Sequence, residues 1–366
     1  MKLKHSTMIP NYTNVHLKFK LDNVSYKHED LMEVAYSYVK EGDPYQQELG
    51  NFLLDWLDEN DYVTAQTSGS TGKPKKIKIK KEAMVNSAIA TGDFFNLSPG
   101  DKVLHCLPSN FIAGKMMIVR AIVLGLELDM VEPSALPLID YEKDYAFCAF
   151  TPMQLKNFAK YLKSIKTAIV GGGQVSDAII ELIKDKKPVV YETYGMTETV
   201  SHIAVKKLNN FDADDTYTRS HFKTLPNITV SIDDRSCLII DAPYLSDEKI
   251  VTNDIVTIHS ETSFEWLGRF DNVINSGGIK LYPEQIEKNL KGIINNRFFI
   301  ASLPDDTLGE KVILVIEGDK NNLDDSVFEG LAKYEKPKAI FALPKFIETK
   351  SGKIQRKKTV ELLKQV

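Results

Sequence analysis

The run Thr67-Ser68-Gly69-Ser70-Thr71-Gly72-Lys73-Pro74-Lys75 combines hydroxyls, glycines and lysines within one short stretch. Glycines let backbone N–H groups close on an anion, hydroxyls add donors and lysines bring point charge, so this is the composition of a phosphate-binding loop. It departs from the Walker A pattern, which needs Gly where Thr67 stands and Ser or Thr where Pro74 follows Lys73. A solvated polar turn has the same composition. The choice between the two rests on what else the chain carries.

Further along, Tyr191-Glu192-Thr193-Tyr194-Gly195-Met196-Thr197-Glu198-Thr199 follows a strand-like run and joins hydroxyls to carboxylates. A carboxylate beside a phosphate is repelled unless a cation lies between them, which makes Glu198 a candidate Mg2+ ligand. Val251-Thr252-Asn253-Asp254 places an acid where it could accept from ribose hydroxyls. Gly268-Arg269-Phe270-Asp271, continuing through Ile274-Asn275-Ser276-Gly277-Gly278, reads as a linker at a change of composition. Thr349-Lys350-Ser351-Gly352-Lys353-Ile354-Gln355-Arg356 sits near the C-terminus, where the plain alternative is a solvated basic tail. Each segment alone is a polar turn or tail as readily as a site.

The elements that must hold these segments follow from periodicity. Helices are expected near Asp30–Lys40 and over Pro44–Glu59, then strand Tyr62–Gln66, the polar run, strand Lys76–Lys80 and helix Glu82–Phe95. Strand–helix units follow: strand Val103–Leu107, helix Gly114–Leu124, strands Leu128–Val131 and Ala146–Phe150, helix Met153–Leu162, strand Ala168–Val170, a helix capped by Ser176 and strand Val189–Tyr191. That alternation argues for an α/β fold with a largely parallel sheet and ligands at strand C-termini. His202–Leu267 changes to short strands and turns, the pattern of an antiparallel β module. Beyond Asp271 a small α+β unit is expected, with helix Pro283–Leu290, strands Arg297–Leu303 and Lys311–Ile316, helix Asp324–Ala332 and strand Ala339–Ala342.

With 366 residues the chain exceeds one ordinary core, so two domains are expected, 1–270 and 271–366. A net charge of −4 gives no field to recruit nucleic acid or an anionic membrane. Cys106, Cys148 and Cys237 are sparse and apolar in setting, which reads as reduced core thiols in a cytoplasmic protein. There is no signal-peptide pattern, and Arg120 and Glu127 interrupt the longest apolar run, so no membrane span is expected. The 7 histidines show no metal-ligand spacing, so no tightly bound metal is expected.

Taken in order, these segments resemble the adenylate-forming superfamily of acyl-CoA synthetases, luciferases and peptide-synthetase adenylation domains, over residues 62–358. The resemblance implies a large N-terminal domain of helix-flanked sheets plus a β module, followed by a small mobile α+β lid. It implies ATP, Mg2+ and coenzyme A as ligands and a small carboxylic acid as substrate, with no nucleic acid partner; it leaves the oligomeric state open. Thr67, Ser68, Gly69, Ser70, Thr71, Gly72, Lys73 and Lys75 would then hold phosphate, Gly171, Gly172 and Gly173 would flank adenine, and Tyr194 would line the nucleotide site. Thr197 would contact phosphate, Glu198 would hold Mg2+, Asp254 would bind the ribose with help from Arg269, and Asp271 would be the hinge. Lys353 matches the lysine that reaches the α-phosphate.

The short chain and the run Gly195-Met196-Thr197-Glu198-Thr199-Val200-Ser201-His202-Ile203-Ala204 look most like 2-succinylbenzoate–CoA ligases of menaquinone biosynthesis, in compact form. Other aryl or short-acyl CoA ligases, carrier-loading adenylating enzymes and a degenerate nucleotide-binding protein remain as alternatives. Two departures stand out. The phosphate loop comes early, at residue 67, and Leu107-Pro108-Ser109-Asn110-Phe111 ends in Asn110-Phe111 where the family usually has an aromatic residue and His. On the acid side the candidates are Phe111, Ser201, His202 and Arg120, an arginine in an otherwise apolar helix, with Lys115 as a second cation. A guanidinium fork suits a substrate carboxylate that is held rather than activated.

Overall fold

The computed structural model describes residues 10–66, 76–211, 220–319, 323–349 and 353–363, so the phosphate-loop run 67–75 lies outside the described residues. Short strands β1 (Lys20–Leu21) and β2 (Val24–Ser25) precede helices α1 (His28–Glu41) and α2 (Pro44–Leu57). In α2, Gln46 accepts the Asp43 N–H at 2.9 Å and Pro44 opens the helix, where its missing N–H costs nothing. Leu49, Phe52, Leu53 and Trp56 recur at helical spacing and are buried. β3 (Tyr62–Gln66) and β4 (Lys76–Lys80) pair antiparallel on either side of the polar run.

Helix α3 (Lys81–Phe95) leads into the alternating region: β5 (Lys102–His105), α4 (Ile112–Leu124), β6 (Glu127–Met130), β7 (Tyr145–Phe150), α5 (Pro152–Phe158), β8 (Ile165–Val170), α6 (Asp177–Ile183) and β9 (Val189–Gly195). The expected Met153–Leu162 helix is shorter, ending at Phe158 and tightening into a 3-10 turn over Ala159–Ser164. There follow β10 (His202–Lys207), β11 (Phe222–Thr224), β12 (Thr229–Ile232), β13 (Cys237–Asp241), β14 (Ile250–Ser260) and β15 (Ser263–Arg269). Among the described residues these strands form one 13-stranded sheet, ordered β12-β13-β14-β15-β11-β10-β9-β8-β7-β5-β6-β1-β2. The expected antiparallel β module is the antiparallel part of this sheet, continuous with the parallel strands. Pairing is parallel from β1 through β6, β5, β7 and β8 to β9, then antiparallel from β9 through β10 and β11 onward. Strand β9 is the junction, and its C-terminal end carries the Gly195–Thr199 segment.

After a 3-10 turn at Phe270–Asn272 the chain builds a second sheet. Its elements are β16 (Ile274–Ser276), β17 (Ile279–Leu281), α7 (Pro283–Leu290), β18 (Phe298–Asp305), β19 (Gly309–Glu317), β20 (Ala339–Leu343) and α8 (Arg356–Leu362). Three expectations change here. Much of the supposed linker is the β16–β17 hairpin. The helix expected over Asp324–Ala332 is only a 3-10 turn, Asp325–Phe328: Asp324 caps Ser326 N at 2.5 Å, and Gly330 discourages propagation. The basic tail contains α8, with Arg356 donating to both carboxylate oxygens of Glu287 at 2.5 and 2.8 Å. One large core lies under the parallel strands and α2–α4, while smaller clusters fill both faces of the second sheet. Cys106, Cys148 and Cys237 are buried free thiols, and none of the described helices is long and apolar enough to cross a membrane.

Candidate active site

At the end of β9 the chain doubles back. A Cβ on Gly195 would come within 2.4 Å of Ser201 O and 2.6 Å of His202 Cα, so only glycine permits this return. Thr199, fully buried, holds the turn from inside: its hydroxyl accepts from Met196 N at 2.9 Å and lies 2.8 Å from Ser201 O. Val200 adopts φ +65°, a left-handed conformation that a β-branched residue rarely takes and that marks local strain. The turn thereby presents Thr197 and an exposed Glu198 at one end and directs Ser201 and His202 inward at the other. Glu198 accepts no hydrogen bond and forms no ion pair among the described residues. An exposed hard oxygen donor of this kind fits a magnesium ion.

Ser201 and His202 meet Arg120, which comes from the middle of α4. Arg120 is only 2% exposed, so its side chain does not reach out to water from the helix edge. Its Nη2 donates to Ser201 Oγ at 2.6 Å and lies 3.5 Å from His202 Nδ1, while Nη1 faces Met117 Sδ at 3.7 Å. Ser201 Oγ is 3.2 Å from His202 Nδ1. Arginine only donates, so the serine hydroxyl accepts from it and passes its own proton toward Nδ1. That makes Nδ1 the acceptor and leaves the imidazole proton on Nε2. Both His202 Nε2 and Arg120 Nε are buried without a hydrogen-bond partner. No carboxylate pairs with Arg120 among the described residues, and burial pushes its pKa down to about 9, still cationic at neutral pH. Burial, and then Arg120, hold His202 well below the usual imidazole range. The cluster is a buried positive charge with an unused donor beside it, an arrangement that favours an anion.

A second cluster joins the end of β9 to β14 and β15, with β10 and β11 between them in the same sheet. Tyr194 donates to Asp254 Oδ2 at 2.6 Å, Trp266 Nε1 donates to Oδ1 at 3.2 Å, and Arg269 Nη1 lies 3.5 Å from Oδ1. Burial, then the charge of Asp254, raise the Tyr194 phenol well above its ordinary value. Arg269 also donates to Asp271 at 3.1 Å, in the turn joining the two sheets. Lys353 approaches from the other sheet on a hairpin closed by Thr349 N to Lys353 O at 2.9 Å and Gln355 N to Ile347 O at 2.8 Å. Although Lys353 keeps exposed surface, desolvation of its ammonium and then Arg269 lower its pKa, against an opposing pull from Asp254. Residues far apart in sequence are thus gathered on both sides of the inter-sheet turn.

The remaining candidates are distributed as follows. Gly171–Gly173 follow β8; Gly171 N donates to Phe150 O at 3.1 Å, and Gly172 takes φ +81°. Phe111, at the start of α4, is partly exposed at 37%. Lys115 does not join Arg120: five residues earlier, it projects from roughly the opposite side of α4, with its ammonium 4.5 Å from the centre of the Phe52 ring. Thr67–Lys75 lie outside the described residues. Sequence reasoning missed Trp266, whose signal was a lone indole N–H in a half-buried strand needing an acceptor. It also missed Arg356, whose ion pair with Glu287 anchors the Lys353 hairpin to α7.

Residues 15–243 match the family model described as AMP-binding enzyme. A 2-succinylbenzoate–CoA ligase from Listeria monocytogenes is 28% identical over 361 residues, covering 90% of this chain and 75% of that protein. One from Lactococcus lactis is 25% identical over 326 residues, covering 83% and 71%. Among solved structures, an acyl-CoA synthetase (AMP-forming)/AMP-acid ligase II-like protein from Dyadobacter fermentans is 35% identical, with TM-score 0.59 and coverage of 91% of this chain and 98% of that one. An o-succinylbenzoate coenzyme A synthetase from Bacillus subtilis, in complex with ATP and magnesium, shares the fold with TM-score 0.70 at 20% identity, covering 81% and 69%. The family match spans more than half of the chain, which therefore belongs to the AMP-binding enzymes.

Proposed function

We propose that this protein is an AMP-forming acid–CoA ligase acting on 2-succinylbenzoate in the cytoplasm, as a step of menaquinone biosynthesis. The observation that carries the substrate is Arg120: a buried guanidinium without a carboxylate partner among the described residues, flanked by the unpartnered Nε2 of His202. An acid with two carboxylates needs one activated and the other held. Arg120, Ser201 and His202 would hold the second, with Phe111 at the mouth of the acid site. The names of the curated relatives support the same reading.

In the first step a carboxylate oxygen attacks the α-phosphorus of ATP and the bond to pyrophosphate breaks. The nucleophile is already ionised at neutral pH, so the chain must supply placement and charge neutralisation rather than a general base. Asp254, oriented by Tyr194, Trp266 and Arg269, would take the ribose hydroxyls; Gly171–Gly173 would flank adenine; residues 67–75 would grip the phosphates; and Thr197 would add a donor. Glu198 would hold Mg2+, which neutralises phosphate charge when bound. Lys353, already beside Asp254 and Arg269, would meet the α-phosphate. In the second step the thiol of coenzyme A attacks the acyl carbon and AMP leaves, for which Lys353 must withdraw. Domains 1–270 and 271–366 pivoting at Asp271 would allow that exchange.

Mass spectrometry of products from ATP, coenzyme A and a panel of acids tests the reading. Succinylbenzoyl-CoA with stoichiometric AMP is expected. Thioester only from monocarboxylic acids would overturn the substrate, acyl-AMP without thioester would point to carrier loading, and no AMP with any acid would overturn the activity.

A further inference from the structure

We propose that His221, His259 and Glu265 form a binding site for a divalent transition metal of the zinc class, on the face of the large sheet opposite the nucleotide cluster. One ligand atom from each of the three residues lies within 4.8 Å of the others. The His221 and His259 rings stack at 3.6 Å with an interplanar angle of 17°, and His259 Nε2 lies 3.9 Å from Glu265 Oε2.

Strand pairing explains how residues so far apart in sequence meet. β11 and β15 pair with Phe222 opposite Phe264, so His221 and Glu265, one residue outside that pair, face each other across the two strands. β14 pairs with the other edge of β15, Ile258 opposite Phe264 and Ser260 opposite Ser263, which leaves His259 as the extra residue of a bulge. A bulge re-aims the side chain it carries, here toward the other two. Phe222 and Phe264 point inward and are buried, so by alternation His221 and Glu265 point outward. The 7 histidines lack metal-ligand spacing in the sequence because this site is set by register across three strands; a bound ion here would overturn the expectation of no tightly bound metal.

The donor set selects the ion. Two imidazoles and one carboxylate suit zinc and its neighbours rather than magnesium or calcium, which prefer oxygen alone. Ligand atoms on a tetrahedral zinc stand about 3.3 Å apart and imidazole lone pairs lie in the ring plane, so binding requires the two stacked rings to rotate until their nitrogens converge on the ion. All three residues are partly or well exposed, which leaves a fourth position for water. The ion would tie β11 to the β14–β15 hairpin. On the inner side of these strands, Phe222 and Phe264 pack on the Tyr194 ring at 5.8 and 5.2 Å, and Tyr194 donates to Asp254. The site is thus a structural clamp backing the nucleotide cluster, separate from the magnesium expected at Glu198.

The test uses the full chain without an affinity tag, stripped of metal and free of nucleotide, titrated with Zn2+ against a chromophoric chelator and separately with Co2+. One equivalent of Zn2+ should bind, raise the melting temperature and, as Co2+, give visible d–d absorption. His259→Ala, on an exposed bulge, should lose that equivalent and the thermal shift while keeping wild-type circular dichroism and the Mg2+-dependent adenylation activity measured without zinc. Glu265→Gln should weaken binding roughly 10–100-fold. Absence of a stoichiometric equivalent in the wild type, or its full retention in His259→Ala, would overturn the site.

Discussion

Helix α4 buries two cations on opposite sides, and they differ in one respect. Lys115, 7% exposed, lies over the Phe52 ring beside a cavity of about 290 Å3 that Glu48 and Asp55 also line. Burial lowers its pKa, but both acids pull it back up. Arg120, 2% exposed, has a serine, a histidine and a methionine around it and, among the described residues, no acid, with burial the cause of its lowered pKa. A buried charge with acids nearby can be compensated within the fold. One without them leaves part of its desolvation cost unmet until an anion arrives. Burial alone does not mark a ligand site; the missing counter-charge does.

The largest expected effect concerns a cation that belongs to neither side. Lys353 sits among Asp254 and Arg269, where the proposed function puts the α-phosphate. Lys353→Ala should cut acyl-AMP formation by roughly 100-fold to 1000-fold while supplied acyl-AMP and coenzyme A still give thioester. Separate assays of the two half-reactions decide it; equal loss in both would mean that Lys353 holds the structure rather than the reacting phosphate.

Arg120→Leu is the next test and bears on the comparison directly. The variant should raise KM for 2-succinylbenzoate by about 1.5–3 kcal/mol, the cost of a lost charged hydrogen bond, and leave KM for ATP nearly unchanged. Without substrate, removing an uncompensated buried charge should not lower stability as loss of a paired one would. Steady-state kinetics with each substrate varied in turn, together with urea denaturation, read both arms. An unchanged acid KM would return Arg120 to a purely structural role.

Buried imidazoles also predict a pH dependence. His105 is buried, with Nε2 3.0 Å from Ser109 Oγ and Nδ1 without a partner, and burial lowers its pKa to about 4. His202 shifts in the same direction. The unfolded imidazole binds its proton near pH 6.5, the folded one only near 4, so between these values the unfolded state holds more protons and stability falls as pH falls. For His105 alone the loss between pH 7 and 5 comes to about 2 kcal/mol. Urea midpoints at the two pH values, for wild type and His105→Gln, should show a shallower slope in the variant. Equal slopes would remove His105 as the cause.

Much of this was legible in the sequence because local rules carry it. Pro44 and Asp43 place α2, Ser176 caps α6, and the β9 turn follows from Gly195 and its hydroxyl neighbours. What escaped depends on register and on partners distant in the chain. That the antiparallel strands continue the parallel sheet is decided by the pairing of β9 with β10, which no local period encodes. The acceptor for Trp266, the role of Arg356 and the meeting of His221 with His259 are cross-strand or cross-element facts of the same kind. Gly330 lies near the end of the helix expected over Asp324–Ala332, where the chain makes only a 3-10 turn.

The smallest effect is expected on the acid-rich side of α4, and it is the sharpest check on the comparison. Lys115→Met keeps the length and apolar stem of the side chain and removes the ammonium. The lost attraction to Glu48 and Asp55 and the lost contact with the Phe52 ring are opposed by the gain from no longer burying a charge, so the net stability change should stay within about 1 kcal/mol. The wild-type pKa lies below the ordinary value of 10.5, so just below that value the unfolded chain binds more protons and wild-type stability rises with pH; the variant should lose this slope. Because Lys115 projects away from Ser201 and His202, the KM for 2-succinylbenzoate should move by less than about 0.5 kcal/mol, against several times that for Arg120→Leu. The two variants measured side by side, with ATP saturating and the acid varied, give the contrast directly. A KM rise in Lys115→Met matching that of Arg120→Leu would mean that the acid reaches the Phe52 side of the helix, and the counter-charge criterion would then fail for this fold.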